Sequence, residues 1–360
     1  MKIVKFSATL ILAAAAAFGA SNASMTAGKV TMKSAGPMAF GPDGVLFVGD
    51  SAGASLVAID TGDTKAAPDG GAVDIKGINE KIAALLGTSS DQILIQDIAV
   101  NPVSKRVYIS VSRGRGPEAI PVILRTDAAG KLTELSLDNV KHAAATLPDP
   151  PSATPDAKGQ SKRMEAITHI AYVNGNVIIA GLSNEEFSSS LRSIPYPFQK
   201  VGQGVSVEIF HGSHGRFETN SPVRTFVPFT VKNEQYILAA YTCTPLVKIP
   251  VADLKAGSKV KGSTIAELGN RNRPLDMIVY QKQGHDYILM ANSSRGVMKL
   301  SADKLETYES ITAPTEKKGV PYETLAGFTG VQQLDKFDNN TAIMLADGNG
   351  SLDLRTVALP

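Results

Sequence analysis

Two aspartates and a histidine occupy the same place in three repeats of this chain, immediately before a short apolar run. They are Asp97, His169 and Asp276. Carboxylate oxygens and an imidazole nitrogen are ligands for Ca²⁺ or for a transition metal ion, so three such groups on one axis predict a divalent metal site. An aspartate at a strand start also accepts hydrogen bonds from backbone amides, and a lone histidine is often a hydrogen-bonded core residue. The sequence leaves these interpretations open beside the metal site.

A second group of polar residues lies in the segments that follow the apolar runs or connect the repeats. These candidate ligand-binding residues are Arg113, Arg115, Glu165, Cys243, Arg271, Arg273, Asn292 and Arg295. Five arginines on one face would make that face cationic and suited to a small anionic ligand or an acidic protein partner. Cys243 is the single cysteine, which excludes an internal disulfide and leaves a metal ligand, a reactive thiol or a small buried side chain as its role.

The elements that must position these residues are six repeats of one sequence pattern. A polar or small residue opens a short apolar run, a turn follows, and a second apolar run returns. The opening residues are Met38, Asp97, His169, Phe226, Asp276 and Val331. Further strands follow most pairs, and four strands per repeat predict an all-β, six-bladed β-propeller. A seven-bladed ring with a degenerate blade between 180 and 220 is the alternative.

The same pattern predicts how the ring closes and where its faces lie. Lys29–Lys33 is a spare N-terminal strand, which we expect to pair with the C-terminal blade and remove both sheet edges. Ile78–Leu86 is predicted to be a short helix between the first two blades. In a propeller the six opening residues ring the upper channel, at the top face where each inner strand begins.

Two further segments carry chemistry that the repeat pattern does not require. His211 and His214, three residues apart, could chelate copper or zinc. A plain tight turn also explains them, and the register places them on the bottom rim, away from the channel. The segment Phe187–Lys200 combines apolar, aromatic and proline residues, and we expect a lid or docking loop on the top face.

The segment Gly36–Asp50, with Gly44-Val45-Leu46-Phe47-Val48 at its centre, resembles the opening blade of the six-bladed propeller superfamily. That group contains gluconolactonase-type hydrolases, paraoxonases, strictosidine synthases and NHL-repeat binding propellers, and no specific family is assigned within it. Resemblance to the lactonase branch implies a divalent ion in the central channel, held by acidic and amide side chains. Those enzymes place a glutamate near the start of the first inner strand, whereas Lys33–Met38 contains no carboxylate.

Other cofactors are not expected. Quinone-dependent dehydrogenase propellers rely on tryptophan docking motifs, and this chain contains no tryptophan. It also lacks the Cys-x-x-Cys-His signature of haem attachment. We therefore expect no haem and no nucleotide, and the remaining cofactor prediction is a divalent metal ion, either calcium or a transition metal.

Composition and the N-terminal segment indicate where the protein works. Lys2 and Lys5, an apolar run and a small-residue cleavage site predict a secretory signal peptide over residues 1–23, followed by one propeller domain over 24–360. We expect a soluble monomer in a bacterial periplasm, or secreted, with no membrane span. The net charge of +2 gives no electrostatic case for nucleic acid.

These observations favour a binding propeller whose top face and central channel hold a small ligand, a metal ion or a periplasmic protein. The alternative is a metal-dependent hydrolase or lactonase in which a channel ion polarises a carbonyl and activates water. A thiol-based carrier built on Cys243 is a third hypothesis. No residue is assigned a catalytic role, and whether the chain is an enzyme stays open.

Overall fold

Short apolar runs separated by glycine, proline and asparagine turns become strands along nearly the whole chain. The computed structural model describes residues 24–66, 71–127, 129–184, 188–271, 273–348 and 350–360. The predicted signal peptide lies outside them. Ile78–Leu86 forms the predicted helix, α1. No helix among the described residues has the length and apolar character that crossing a membrane requires.

The strands of the first half of the chain are β1 (Thr26–Gly28), β2 (Met38–Phe40), β3 (Val45–Asp50), β4 (Ser55–Asp60), β5 (Asp74–Ile75), β6 (Ile93–Val100), β7 (Val107–Arg113), β8 (Ile120–Thr126), β9 (Leu132–Glu134), β10 (Val140–Thr146), β11 (His169–Val173), β12 (Asn176–Leu182), β13 (Ser189–Pro195) and β14 (Val205–His211). Those of the second half are β15 (Arg216–Glu218), β16 (Val223–Val231), β17 (Glu234–Tyr241), β18 (Pro245–Pro250), β19 (Lys259–Lys261), β20 (Ser263–Leu268), β21 (Pro274–Lys282), β22 (His285–Asn292), β23 (Gly296–Ser301), β24 (Lys317–Gly319), β25 (Tyr322–Thr324), β26 (Val331–Lys336), β27 (Thr341–Gly348) and β28 (Ser351–Ala358).

Six sheets, built mainly from antiparallel strands, form the blades, and the prediction of a six-bladed β-propeller is confirmed. From the channel outward, blade 1 is β2-β3-β4-β10-β1, blade 2 is β6-β7-β8-β9 and blade 3 is β11-β12-β13-β14-β15, with β19 added to β14. Blade 4 is β16-β17-β18-β20-β24, blade 5 is β21-β22-β23-β25 and blade 6 is β26-β27-β28-β5.

The blades do not follow one another around the ring in chain order. The inner strand β6 packs between β26 and β2, and β2 packs against β11. Blade 2 therefore lies between blades 6 and 1. After β4 the chain crosses to the edge of blade 6 as β5, packs α1 against β28, builds blade 2, and returns to blade 1 as β10. The ring is interlocked by these crossings.

The predicted closing strand is wrong. Ile75 and Asp74 of β5 pair with Leu354 and Arg355 of β28, so an internal segment closes blade 6. Lys29–Lys33 forms no strand, because the residues just before it are used elsewhere: β1 pairs with β10 on the outer edge of blade 1.

The segment predicted to be a lid, Phe187–Lys200, is part of the core instead, apart from Phe187, which lies outside the described residues. β13 is the third strand of blade 3 and is mostly buried. The rings of Tyr196 and Phe198 then lie 4.9 Å and 6.2 Å from that of Phe47 in blade 1. Their apolar area, which suggested an adhesive surface, fills the space between two blades.

Candidate functional site

Two cavities lie one above the other along the propeller axis. The top cavity, about 340 Å³, is lined by residues at or just before the inner-strand starts. The lower cavity, about 520 Å³, is lined by the inner strands themselves and by the turns at their far ends. The repeat register therefore translates directly into depth along the channel.

A β-bulge at the start of the inner strand recurs in four of the six blades and shapes the top cavity. Each bulge leaves one residue of the inner strand with no residue directly opposite it on the second strand. These residues are Gln96, Arg224, Leu275 and Gln332. All four line the top cavity. A bulge re-aims a side chain that regular pairing would direct to a sheet face, so this recurring irregularity supplies the lining of the cavity.

Charge in the top cavity comes from two arginines and one glutamate. The Arg224 guanidinium lies 2.9 Å from Glu165 Oε1, and its Nε donates to Thr242 Oγ1 at 2.8 Å. Arg273 lies on the exposed rim of the cavity. Burial of part of its side chain, and the nearby Arg224, lower the pKa of Arg273, while Glu165 acts in the opposite direction. The site holds one more positive than negative charge from these three groups.

Of the predicted ligand-binding residues, Glu165 and Arg273 reach this cavity. Arg115 instead donates to the carbonyls of Asp91 and Ile93 at 2.8 Å and 3.3 Å, and it borders a separate surface groove. Arg113 ends β7, where it pairs with Ile93 and Ile120. The structure thus places these two arginines around the entry to blade 2 and outside the lining of the top cavity.

The other predicted residues serve loops or the core. Arg295 donates to the carbonyl of Asn270 at 3.0 Å, and the carbonyl of Arg271 accepts the hydroxyl of Ser294. Asn292 is 4% exposed, with its amide nitrogen 2.9 Å from Met298 Sδ. Cys243 lies in the β17–β18 loop, where its Sγ is 3.8 Å from Ser213 Oγ.

Arg224 is the charged residue of the cavity that the sequence analysis missed. It precedes Thr225 inside the apolar inner strand β16. A charged residue in such a strand was the sequence signal that could have identified it. The sequence analysis instead took Phe226 as the residue equivalent to Asp97 and Asp276, and this register left Arg224 out of the predicted site. The bulges show that Thr225 is the equivalent residue.

The three predicted metal ligands do line one cavity, the lower one, together with Met38 and Phe226. Val331, the sixth predicted ring residue, is buried among apolar side chains between blades 5 and 6. The bulge at Gln332 makes Gln333 the residue equivalent to Asp97 and Asp276, and Leu334 and Asp335, further along β26, line the lower cavity. Asp335 is therefore a third channel carboxylate.

Each of these carboxylates accepts a hydrogen bond from a backbone amide of the adjacent inner strand. Asp276 Oδ2 accepts from Leu334 at 2.8 Å, Asp335 Oδ2 from Val100 at 2.6 Å, and Asp97 Oδ2 from Met38 at 2.6 Å. The links run from blade 5 to 6, from 6 to 2 and from 2 to 1. They join adjacent blades around the channel, the backbone-acceptor role that the sequence left open beside metal ligation.

Burial controls the protonation of this ring. It raises the pKa of Asp97 to about 8 and that of Asp335 to about 6, outweighing the amide hydrogen bonds that favour the charged forms. Burial, followed by the charge of Asp97, raises the pKa of Asp276 well above its ordinary value. Burial lowers the pKa of His169 to about 4, and its ring packs edge-on against Phe226 at 4.8 Å. His169 is neutral at physiological pH.

The donor atoms of the lower cavity are largely occupied by other hydrogen bonds. Both oxygens of Asp276 already accept backbone amides, from Met277 and Leu334. A metal ion needs ligand atoms that lie close together. Among the described residues, this condition is met by His211, His214 and Glu218, whose potential ligand atoms lie within 4.8 Å of one another, and not by Asp97, His169 and Asp276. The channel residues fit an ion poorly in this arrangement.

No protein-family model matches the chain. No curated protein matches it either. Among solved structures it is similar to an oxidoreductase (glucose dehydrogenase) of Thermus thermophilus, with 13% identity, a TM-score of 0.35 and coverage of 92% of this chain and 100% of the other.

Two further solved structures have comparable values. The PQQ-bound aldose sugar dehydrogenase of Streptomyces coelicolor shares 10% identity at a TM-score of 0.35, covering 93% of this chain and 98% of the other. A gluconolactonase of Xanthomonas campestris shares 10% identity at a TM-score of 0.33, covering 96% and 93%. At these values none of them assigns an activity to this chain, and its function must be argued from its own site.

Proposed function

We propose that this chain is a periplasmic binding propeller whose top cavity holds a small organic anion. The observation that carries the proposal is the Arg224–Glu165 ion pair with a second arginine, Arg273, lining the same concave polar site on the propeller axis. Two guanidiniums and one carboxylate in the same cavity leave a net positive charge that a ligand carboxylate or phosphate can neutralise with paired hydrogen bonds.

The size of the cavity sets the size of the ligand. Small-molecule sites usually occupy roughly 300–1,000 Å³, and the top cavity has about 340 Å³. It therefore suits a compact metabolite better than a polymer or a folded partner. Gln96, Gln332 and Gln333 also line it, and their amides can bond the hydroxyl or carbonyl groups of such a ligand.

The site is organised before a ligand arrives. The Arg224 guanidinium is held by Glu165 and Thr242. The residues on either side of Arg224 in β16, Val223 and Thr225, are buried. A charged group fixed by its own partners loses little conformational entropy on binding, so more of the interaction energy contributes to affinity.

The test is a thermal-shift and calorimetric screen of small hydroxy acids, sugar acids and phosphate esters against the purified chain. We expect a subset of these anions to bind and Arg273→Ala to weaken the best of them by about tenfold or more, since one charged hydrogen bond is lost. Arg271→Ala is the matched control, because Arg271 is an exposed neighbour outside the cavity lining.

Equal affinity in wild type and Arg273→Ala would contradict the proposal, as would a preference for neutral compounds over their anionic counterparts. The periplasmic assignment has a separate check: fractionation of expressing cells should recover the chain, shortened by the signal peptide, in the periplasmic fraction.

A metal-dependent hydrolase is the alternative, and the observation that favours it is the convergence of three inner-strand carboxyl groups and His169 on the lower cavity. The amide contacts of the carboxylates and the spacing of the ligand atoms argue against an ion there. Metal analysis of protein purified without chelator distinguishes the two. A stoichiometric ion that is lost in Asp276→Asn, while the fold is kept, would favour the hydrolase.

A further inference from the structure

A cluster of two histidines and a glutamate lies on the outer rim of blade 3, outside the channel. β14 ends at His211, and a tight turn leads into β15, which ends at Glu218. The turn is closed by bonds from the amides of His214 and Gly215 to the carbonyl of His211, at 3.1 Å and 2.8 Å. Antiparallel pairing then brings Glu218 opposite Ile209, on the same face of the hairpin as His211.

This placement corrects the sequence-based one. β14 is the fourth strand of blade 3 and runs toward the top face, so the histidine turn lies on the top rim and not on the bottom. The amide of Gly212 donates to Glu267 Oε1 at 2.6 Å, and Glu267 stands near the end of the outer strand β20 of blade 4. The turn thus lies against the neighbouring blade.

Both imidazoles converge on one carboxylate. His211 Nδ1 is 2.8 Å from Glu218 Oε2, and His214 Nδ1 is 2.6 Å from Glu218 Oε1. The two rings lie 3.9 Å apart, tilted by 39°. All three potential ligand atoms fall within 4.8 Å of one another, so replacing the shared protons with one ion requires little movement of the side chains.

Burial distinguishes this cluster from a surface hydrogen-bond network. The His211 side chain is 2% exposed and that of Glu218 12%, whereas that of His214 is 47% exposed. His211 Nε2 and Glu267 Oε2 are buried without hydrogen-bond partners. Two ligands are therefore fixed by the fold and one faces solvent, which gives an ion an entry path. Arg216 Nε also touches Glu218 Oε1, at 3.2 Å, but its side chain is 72% exposed and can turn away.

We propose that His211, His214 and Glu218 bind a divalent transition metal ion, with Zn²⁺ and Cu²⁺ as the ions whose ligand preferences match. Two imidazole nitrogens and one carboxylate oxygen form a known three-residue ligand set for zinc, with a fourth position left to water or another ligand. Ca²⁺ prefers an all-oxygen site with more ligands and is not expected here. This site is independent of the anion site in the top cavity.

The test is calorimetric titration of the metal-free purified chain with Zn²⁺. We expect one ion per chain and a loss of affinity of about tenfold or more in His214→Ala. His214 is exposed enough for this substitution to leave the core intact, and an unchanged melting temperature without metal verifies that. His285→Ala is the matched control, because His285 pairs with Asp303 at 2.6 Å without a second imidazole.

A second measurement identifies the ligands directly. The electron paramagnetic resonance spectrum of the Cu²⁺-loaded chain should show coupling to two imidazole nitrogens, reduced to one in His214→Ala. Absence of saturable Zn²⁺ binding, or equal affinity in His214→Ala and wild type, would overturn the proposal. Asp97→Asn should leave the titration unchanged, and loss of the ion there would assign it to the channel.

Discussion

Replacing Phe47 with alanine is expected to lower the free energy of unfolding by about 3–5 kcal/mol, the range for a large buried aromatic side chain. Phe47 is fully buried. Its ring contacts Tyr172, Tyr196 and Phe198 of blade 3, at centroid distances of 5.8, 4.9 and 6.2 Å. Removing it opens a cavity between two blades that the three remaining aromatic rings cannot fill without moving from their packed positions.

Denaturant unfolding measures this loss as a lower midpoint with an unchanged slope. Phe217→Ala is the matched control, since Phe217 is 41% exposed and its ring contacts Phe210 and the Lys261 ammonium. We expect it to cost about 1 kcal/mol or less. A Phe47 variant no less stable than the Phe217 variant would show that Tyr196 and Phe198 do not depend on this contact, and the segment would again be a candidate lid.

The second large effect is a loss of stability as pH rises. Asp97 has a pKa of about 8 in the folded protein, compared with 3.8 as its ordinary value. The folded state therefore binds the proton more tightly than the unfolded chain. The stabilisation from this group is complete below about pH 4 and is lost as pH rises toward 8. Asp335 adds to the loss up to about pH 6.

We expect the free energy of unfolding to fall by on the order of 4 kcal/mol between pH 5 and pH 8, since that interval covers about three units of the Asp97 pKa difference and each unit corresponds to about 1.4 kcal/mol. Asp97→Asn should remove at least half of that fall, because asparagine does not titrate, although it also weakens an amide hydrogen bond at every pH. Denaturant titrations at the two pH values measure both effects.

Asp91→Asn is the control for the pH experiment, since Asp91 is an exposed carboxylate just before the same strand and should leave the pH dependence unchanged. A wild-type protein that is as stable at pH 8 as at pH 5 would show that the channel carboxylates are charged in the folded state. That result would also reopen the lower cavity as a cation site.

The repeat pattern alone determined the architecture. Each blade depends on alternating apolar residues and on turns between neighbouring strands, and these are local properties that a sequence displays. They correctly predicted six blades and the helix α1. Five of the six residues predicted to ring the upper channel do share one cavity, but it is the lower one: Met38, Asp97, His169, Phe226 and Asp276. Glu165 and Arg273, from the second predicted set, line the top cavity because both lie in segments that connect one blade to the next inner strand.

Tertiary structure decided everything that depends on pairing between distant segments. Nothing local in Asp74 and Ile75 indicates that they close blade 6, and nothing in Lys29–Lys33 excludes that role. The pairing depends on which unpaired edges meet in space.

The positions of the β-bulges also depend on pairing between strands. An extra residue in one strand becomes visible only against its partner strand, so Arg224 reached the top cavity unpredicted. The His211 turn was assigned to the wrong face because the number of strands before it was miscounted by one, and each strand reverses the direction of the chain.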